Sequence, residues 1–162
     1  MHSYIYGSHR KTYTLIFLFI LCTCYTYALE EQDVIGVWST PKEKSKIEIF
    51  PCGEYYCGKI VWLREDKYPT NDPLGMGGKE IMDRNNHDPK LQNRPLIGLQ
   101  LMEHFSCQGN LRWRKGLIYN PSNGNKYRCR MKLVSKEKLH VRGFLGISLI
   151  GKTSVWTRTD NN

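Results

Sequence analysis

Few residues in this chain have the types and spacing that chemistry needs, and the first are thiols. Cys52 and Cys57 bracket four residues in "PCGEYYC". A catalytic thiol pair is more often Cys-x-x-Cys at the start of a helix. A zinc site needs two further ligands at finger-like spacing, and His87, His104 and His140 are isolated along the chain. The spacing instead fits a covalent staple across a tight turn containing Gly53, worth about 2 kcal/mol by loop-closure entropy. "DRNNHD" offers the oxygen donors Asp83, Asn85 and Asp88, but lacks the glycine and distal glutamate of a calcium loop. Asx-turns beside Pro89 account for it more simply. "GISLIG" sets a serine among glycines without the spacing of a nucleophile elbow. His140 and Arg142 share one strand face by parity, but no carboxylate pairs with them at a recognisable distance in sequence. The reading is a non-enzyme with no catalytic residue, no metal and no cofactor.

The meaning of the cysteines depends on compartment. The first residues carry Arg10 and Lys11 and no acid, then the apolar run "LIFLFILC" and "TCYTYA" ending at Ala28. A basic start, a short apolar core and a small residue before a polar chain describe a secretory signal peptide over residues 1–28. A retained anchor is the alternative, but the apolar run is short of the ~20 residues that span a bilayer. No membrane span is expected in the mature chain, which is placed in the periplasm or outside the cell. Export removes Cys22 and Cys24 and leaves Cys52, Cys57, Cys107 and Cys129. An even set in an exported chain is read as disulfides, Cys52 with Cys57 and Cys107 with Cys129. Lys and Arg number 24 against 15 Asp and Glu. A basic balance can serve nucleic acid, anionic lipid or an acidic partner. Nucleic acid does not fit an exported protein, and the scatter of the cations along the chain fits plain solubility.

The elements that would hold these residues are strands. "GVWST", "KIEIF", "YCGKIVWL", "LIGLQLMEHF", "LRWRKGLIY", "KYRCRMKLV", "LHVRGF" and "TSVWTR" are short runs rich in β-branched and aromatic residues. In "KYRCRMKLV" Tyr127, Cys129, Met131 and Leu133 face one way, and Arg128, Arg130 and Lys132 the other. In "LRWRKGLIY" the same alternation sets Leu111, Trp113, Leu117 and Tyr119 on one face. Short joints such as "NPSNGN" make neighbours antiparallel. About eight even strands predict an all-β antiparallel barrel, 29–162 as a single domain, closed so that no edge is left unpaired. Residues 65–95 lack periodicity and hold four of the seven prolines. A connection this long is either a rim or lid over the barrel mouth or an inert surface insertion.

"CGKIVWL", "DRNNHDPKLQNRPLIGLQLM", "GLIYNPSNGNKY" and "LHVRGFLGISLIGKTSVWTR", in this order, resemble a family of exported bacterial proteins, domain-of-unknown-function family 2147. The resemblance implies a small secreted or periplasmic domain with a lipocalin-like fold, an antiparallel barrel with a short helical element. It attaches no activity. "GMGGKEIM" lengthens a loop relative to that pattern, and Cys107 with Cys129 would be an extra pair. Lipocalin-type chains also carry Gly-x-Trp on the first strand and an Arg after the last that lies over the Trp. Gly36, Trp38 and Arg158 fill those places here, as structural residues joined by a cation–π contact.

A barrel of about eight strands either fills with side chains or holds one small ligand. Trp62, Trp113, Tyr119, Tyr127, Met131, His140, Arg142 and Phe144 are the candidate lining residues. Arg142 would meet an anionic head group if its face is the interior, and is an ordinary solvated arginine if it is not. The expected function is binding of a small amphiphile such as a fatty acid. The alternative is an envelope interaction module for an acidic partner or anionic lipid surface.

Overall fold

The computed structural model describes residues 28–145 and 151–159. The leader expected over 1–28 falls almost wholly outside them, as do most of "GISLIG" and the end of the chain. Eight strands follow in order: β1 (Gly36–Ser39), β2 (Ser45–Cys52), β3 (Tyr55–Leu63), β4 (Gln100–Cys107), β5 (Arg112–Asn120), β6 (Asn125–Ser135), β7 (Lys138–Phe144) and β8 (Gly151–Arg158). Each pairs antiparallel with the next, and β8 returns to β1 with Arg158 opposite Trp38, so the sheet is a closed barrel. Among the described residues the helical element is reduced to 3-10 turns at Glu31–Val34, Pro41–Glu43 and Pro89–Leu91.

Alternation decides the core. On β6, Cys129, Met131 and Leu133 are buried inside, while Arg128, Arg130 and Lys132 are exposed. With Trp38, Phe105, Trp113 and Leu139 they belong to one buried core cluster, packed toward the end that Arg158 closes. β5 departs from simple alternation. A bulge between Trp113 and Gly116, with Lys115 at φ 61°, adds a residue and reverses the phase. Gly116 and Ile118 therefore share the inner face with Cys129 and Tyr127, while Leu117 and Tyr119 pair with Arg128 and Lys126 on the outer face. The expectation that Trp113, Leu117 and Tyr119 share one face is corrected by this extra residue.

The narrow end is shut by one side chain. The Arg158 guanidinium lies 4.3 Å from the Trp38 ring centre. It donates to the carbonyls of Lys136 (2.6 Å), Ile35 (3.0 Å) and Asp33. Trp38 Nε1 donates to the Val34 carbonyl at 2.9 Å, which pins the first 3-10 turn across the opening. Gly36 has φ +131°, and a Cβ there would stand 2.6 Å from Arg158 Nη1, so the glycine makes room for the clasp.

Cys52 and Cys57 form the disulfide that staples the β2–β3 hairpin, with Cα atoms 5.8 Å apart. The second expected disulfide is absent: Cys107 and Cys129 are free thiols. Cys107 on β4 is opposite Trp113 of β5, and Trp113 is opposite Met131 of β6. A whole strand thus separates the two cysteines. At about 4.8 Å per strand their backbones lie roughly 10 Å apart, beyond the ~7 Å a disulfide can bridge.

Candidate functional site

The turns joining β1 to β2, β3 to β4 and β5 to β6, with the end of β7 and the start of β8, gather at the end opposite Arg158. There the barrel opens into a cavity of about 1310 Å³. Its deeper wall is apolar: Ile47, Ile60, Leu101, Ile118, Val141 and Trp156. Gly143, opposite Cys129 on β6, leaves room beside Ile118. The mouth carries Lys42, Lys44 and Lys152 together with Thr40, Ser45 and Ser122. No acidic side chain is among the described residues of this lining. Burial makes a pocket of this kind selective for apolar surface, and the rim cations favour an anionic end group.

The long connection between β3 and β4 is organised around two buried carboxylates. Asp83, fully buried, accepts from Tyr119 Oη (2.6 Å), Asn86 Nδ2 (2.8 Å), and Arg94 Nε (3.0 Å) and Nη2 (2.8 Å). Burial, and then the Asp83 carboxylate, push the Tyr119 hydroxyl above its ordinary pKa. Asp72, its side chain 2 % exposed, accepts from Arg84 Nη1 (2.9 Å) and from the amides of Leu74 (3.0 Å) and Met76 (3.3 Å). The Arg84 hydrogen bond holds the Asp72 carboxyl below the usual carboxylate range. Asn85 Nδ2 reaches the carbonyls of Pro121 and Ser122, and His87 Nε2 meets Asn125 Oδ1 at 3.1 Å, so the segment is clasped to the β5–β6 turn. Gly98 N and Leu99 O bond to Ile60 of β3. The stretch is thus an ordered strap whose Leu96 reaches the cavity wall. In "DRNNHD", Asp88 Oδ1 accepts from the Lys90 amide and Asn86 Oδ1 from the Asp88 amide, the Asx-turn arrangement. Among the described residues no cluster of three or more His, Cys, Asp or Glu could hold a metal ion.

The eight candidate lining residues do not converge. Tyr119, Tyr127 and Phe144 border the cavity. Tyr127 Oη accepts from Asn123 Nδ2 at 2.8 Å, and Tyr119 turns its hydroxyl into the strap. Trp113 and Met131 point inward but lie in the packed narrow end, where the Tyr56 ring meets Trp113 edge-on at 5.9 Å. Trp62 is on the outside, 39 % exposed, with Lys46 Nζ 5.5 Å from its ring. His140 is corrected from interior to exterior, and for Arg142 the outward-facing reading is the one that holds. Val141 between them is buried at 3 %, opposite inward Met131, so its neighbours face out opposite Lys132 and Arg130. Arg142 Nη1 donates to Thr153 Oγ1 at 3.0 Å. The residues that do line the cavity, Ile118, Val141 and Trp156, are ordinary apolar strand positions that nothing in the sequence distinguishes from packed core. Asp83 and Arg94 come from the strap and Tyr119 from β5; "DRNNHD" marked Asp83 as an oxygen donor, Tyr119 was expected in the lumen, and nothing singled out Arg94.

Comparison with known proteins agrees with this architecture. The family model described as "Uncharacterized protein conserved in bacteria (DUF2147)" matches residues 36–158. No curated protein matches the chain. One solved structure to which it is similar is described as "Protein HP1028 from the human pathogen Helicobacter pylori belongs to the lipocalin family". The two are 22 % identical, with 83 % of this chain and 86 % of that one covered and a TM-score of 0.67, a likeness of fold.

Proposed function

The chain belongs to the DUF2147 family of bacterial proteins and folds as a lipocalin-like barrel, and from that premise we propose that it binds a small amphiphile in the barrel lumen. The observation that carries this reading is the open cavity of about 1310 Å³, apolar within and bordered by Lys42, Lys44 and Lys152. Small-molecule sites run to ~300–1,000 Å³, so an extended acyl chain has room. The apolar wall takes the tail, and the rim lysines take a carboxylate head such as that of a fatty acid. Catalysis is not part of the proposal; binding is what this fold commonly does. The reading includes export of a single barrel domain, 29–162, after removal of the leader 1–28. The Cys52–Cys57 disulfide supports it, because such bonds persist in oxidising compartments.

Displacement of a fluorescent long-chain carboxylate tests the proposal. Ile118→Trp fills the lumen and is expected to weaken binding at least about tenfold, the loss of roughly 1.4 kcal/mol. Val134→Trp, at an exposed position, is expected to leave it unchanged. Lys42→Gln with Lys44→Gln should weaken the carboxylate but not the corresponding alcohol. Equal binding by the Ile118→Trp and Val134→Trp proteins, or no uptake of any amphiphile by the wild type, overturns it.

A further inference from the structure

The strands of the C-terminal half carry nearly all their charge with one sign. Residues 111–159 hold twelve Lys and Arg against a single acid, Glu137. The register collects them. Arg112, Lys132 and His140 form one row across the outer faces of β5, β6 and β7. Arg130 and Arg142 form the next row, ending at Thr153 of β8, and Arg128 pairs with Phe144 beyond them. Arg112, Arg114, Arg130, Lys132, His140 and Arg142 border a surface cleft of about 290 Å³. Arg112, Arg114, Arg130 and Lys132 enter no ion pair among the described residues. Elsewhere cations do meet carboxylates: Lys59, Arg64, Arg84 and Arg94 in the first half of the chain, and Lys126 and Lys136 away from this cleft.

We propose that this arginine-walled cleft is a second binding site, separate from the lumen, for a phosphate-bearing anion. Guanidinium groups match phosphate oxygens two at a time, and several arginines around one depression can engage more than one phosphate. Arg112, Arg114, Arg130 and Lys132 are like charges held together without ion-pair partners among the described residues, and an anion of multiple charge relieves their repulsion. Arg142 is already oriented by Thr153, which lowers the entropy lost when it takes an anion. The shared chemistry is a phosphate dianion or a pair of phosphates, either free in solution or displayed by a lipid head group.

The test uses the full chain with two probes: inorganic pyrophosphate by calorimetry, and flotation with phosphatidylcholine vesicles with and without phosphatidylglycerol. The arginine variant is Arg130→Gln with Arg142→Gln. The control of equal charge loss on the strap is Lys67→Gln with Lys90→Gln. Circular dichroism checks that both fold. The wild type is expected to bind at least one probe, the arginine variant about tenfold or more weakly, and the control as the wild type does. Pyrophosphate binding that vesicles do not compete for assigns a free anion, and flotation only with phosphatidylglycerol assigns a lipid head group. The proposal is overturned if neither probe binds, or if the control loses as much as the arginine variant.

Discussion

Arg158 does three things from one position: it covers the Trp38 ring, satisfies three carbonyls and joins both chain ends of the barrel. Arg158→Ala is expected to lower stability by about 1–3 kcal/mol, from the lost cation–π contact and the carbonyls left without donors. A urea midpoint measures it, and Arg158→Lys should recover little, because an ammonium cannot span the three acceptors at once. This residue was legible in the sequence because Gly36, Trp38 and Arg158 resemble the lipocalin-type pattern at the two ends of the strand series. Asp83 was not. Its partners Arg94 and Tyr119 come from elsewhere in the chain, and no local pattern announces a fully buried carboxylate. Cys129 is a third case. Its alternation placed it inward correctly, and burial pushes its thiol up to about 12. Its expected pairing with Cys107 failed because that depended on strand order.

At the scale of elements, the eight strands match the periodic segments closely, and the mismatches sit at irregularities. β4 begins at Gln100 rather than Leu96, because Leu96 to Leu99 close the strap onto β3. β5 keeps its length but changes phase at Lys115. The bulge turns Gly116 inward against the Phe105 ring, where any side chain would collide. Gly116→Ala should therefore destabilise by about 1–3 kcal/mol through overpacking, read as a lower denaturant midpoint with an unchanged slope. A period of two in the sequence cannot reveal a one-residue insertion, since both phases look equally regular. Tyr119 was thus chosen for the lumen, while the structure gives its hydroxyl to Asp83.

For the whole molecule, the strap and the barrel mouth form one unit, and acid should act on the strap first. The folded-state pKa of Asp72 lies below its unfolded value, so its contribution is present above the ordinary carboxylate range and is lost as pH falls below that range. The Leu74 and Met76 amides, which bond to Asp72 Oδ2, report this directly. Their NMR signals are expected to move together in acid as the carboxyl protonates, and Asp72→Asn should abolish the movement. Independent shifts at the two amides would show that Asp72 does not hold the turn.

What the sequence determined by itself was the class of structure. Alternation names strands, short joints make them antiparallel, eight of them close, and Cys52 with Cys57 staples one hairpin; each of these is a property of neighbours along the chain. What only the tertiary structure decided was which residues meet. Strand order set Cys107 apart from Cys129 with β5 between them, the bulge in β5 turned Tyr119 outward, and register drew cations scattered through residues 112–142 onto one wall. Those outcomes depend on strand order and stagger, distances across the chain that local periodicity does not encode.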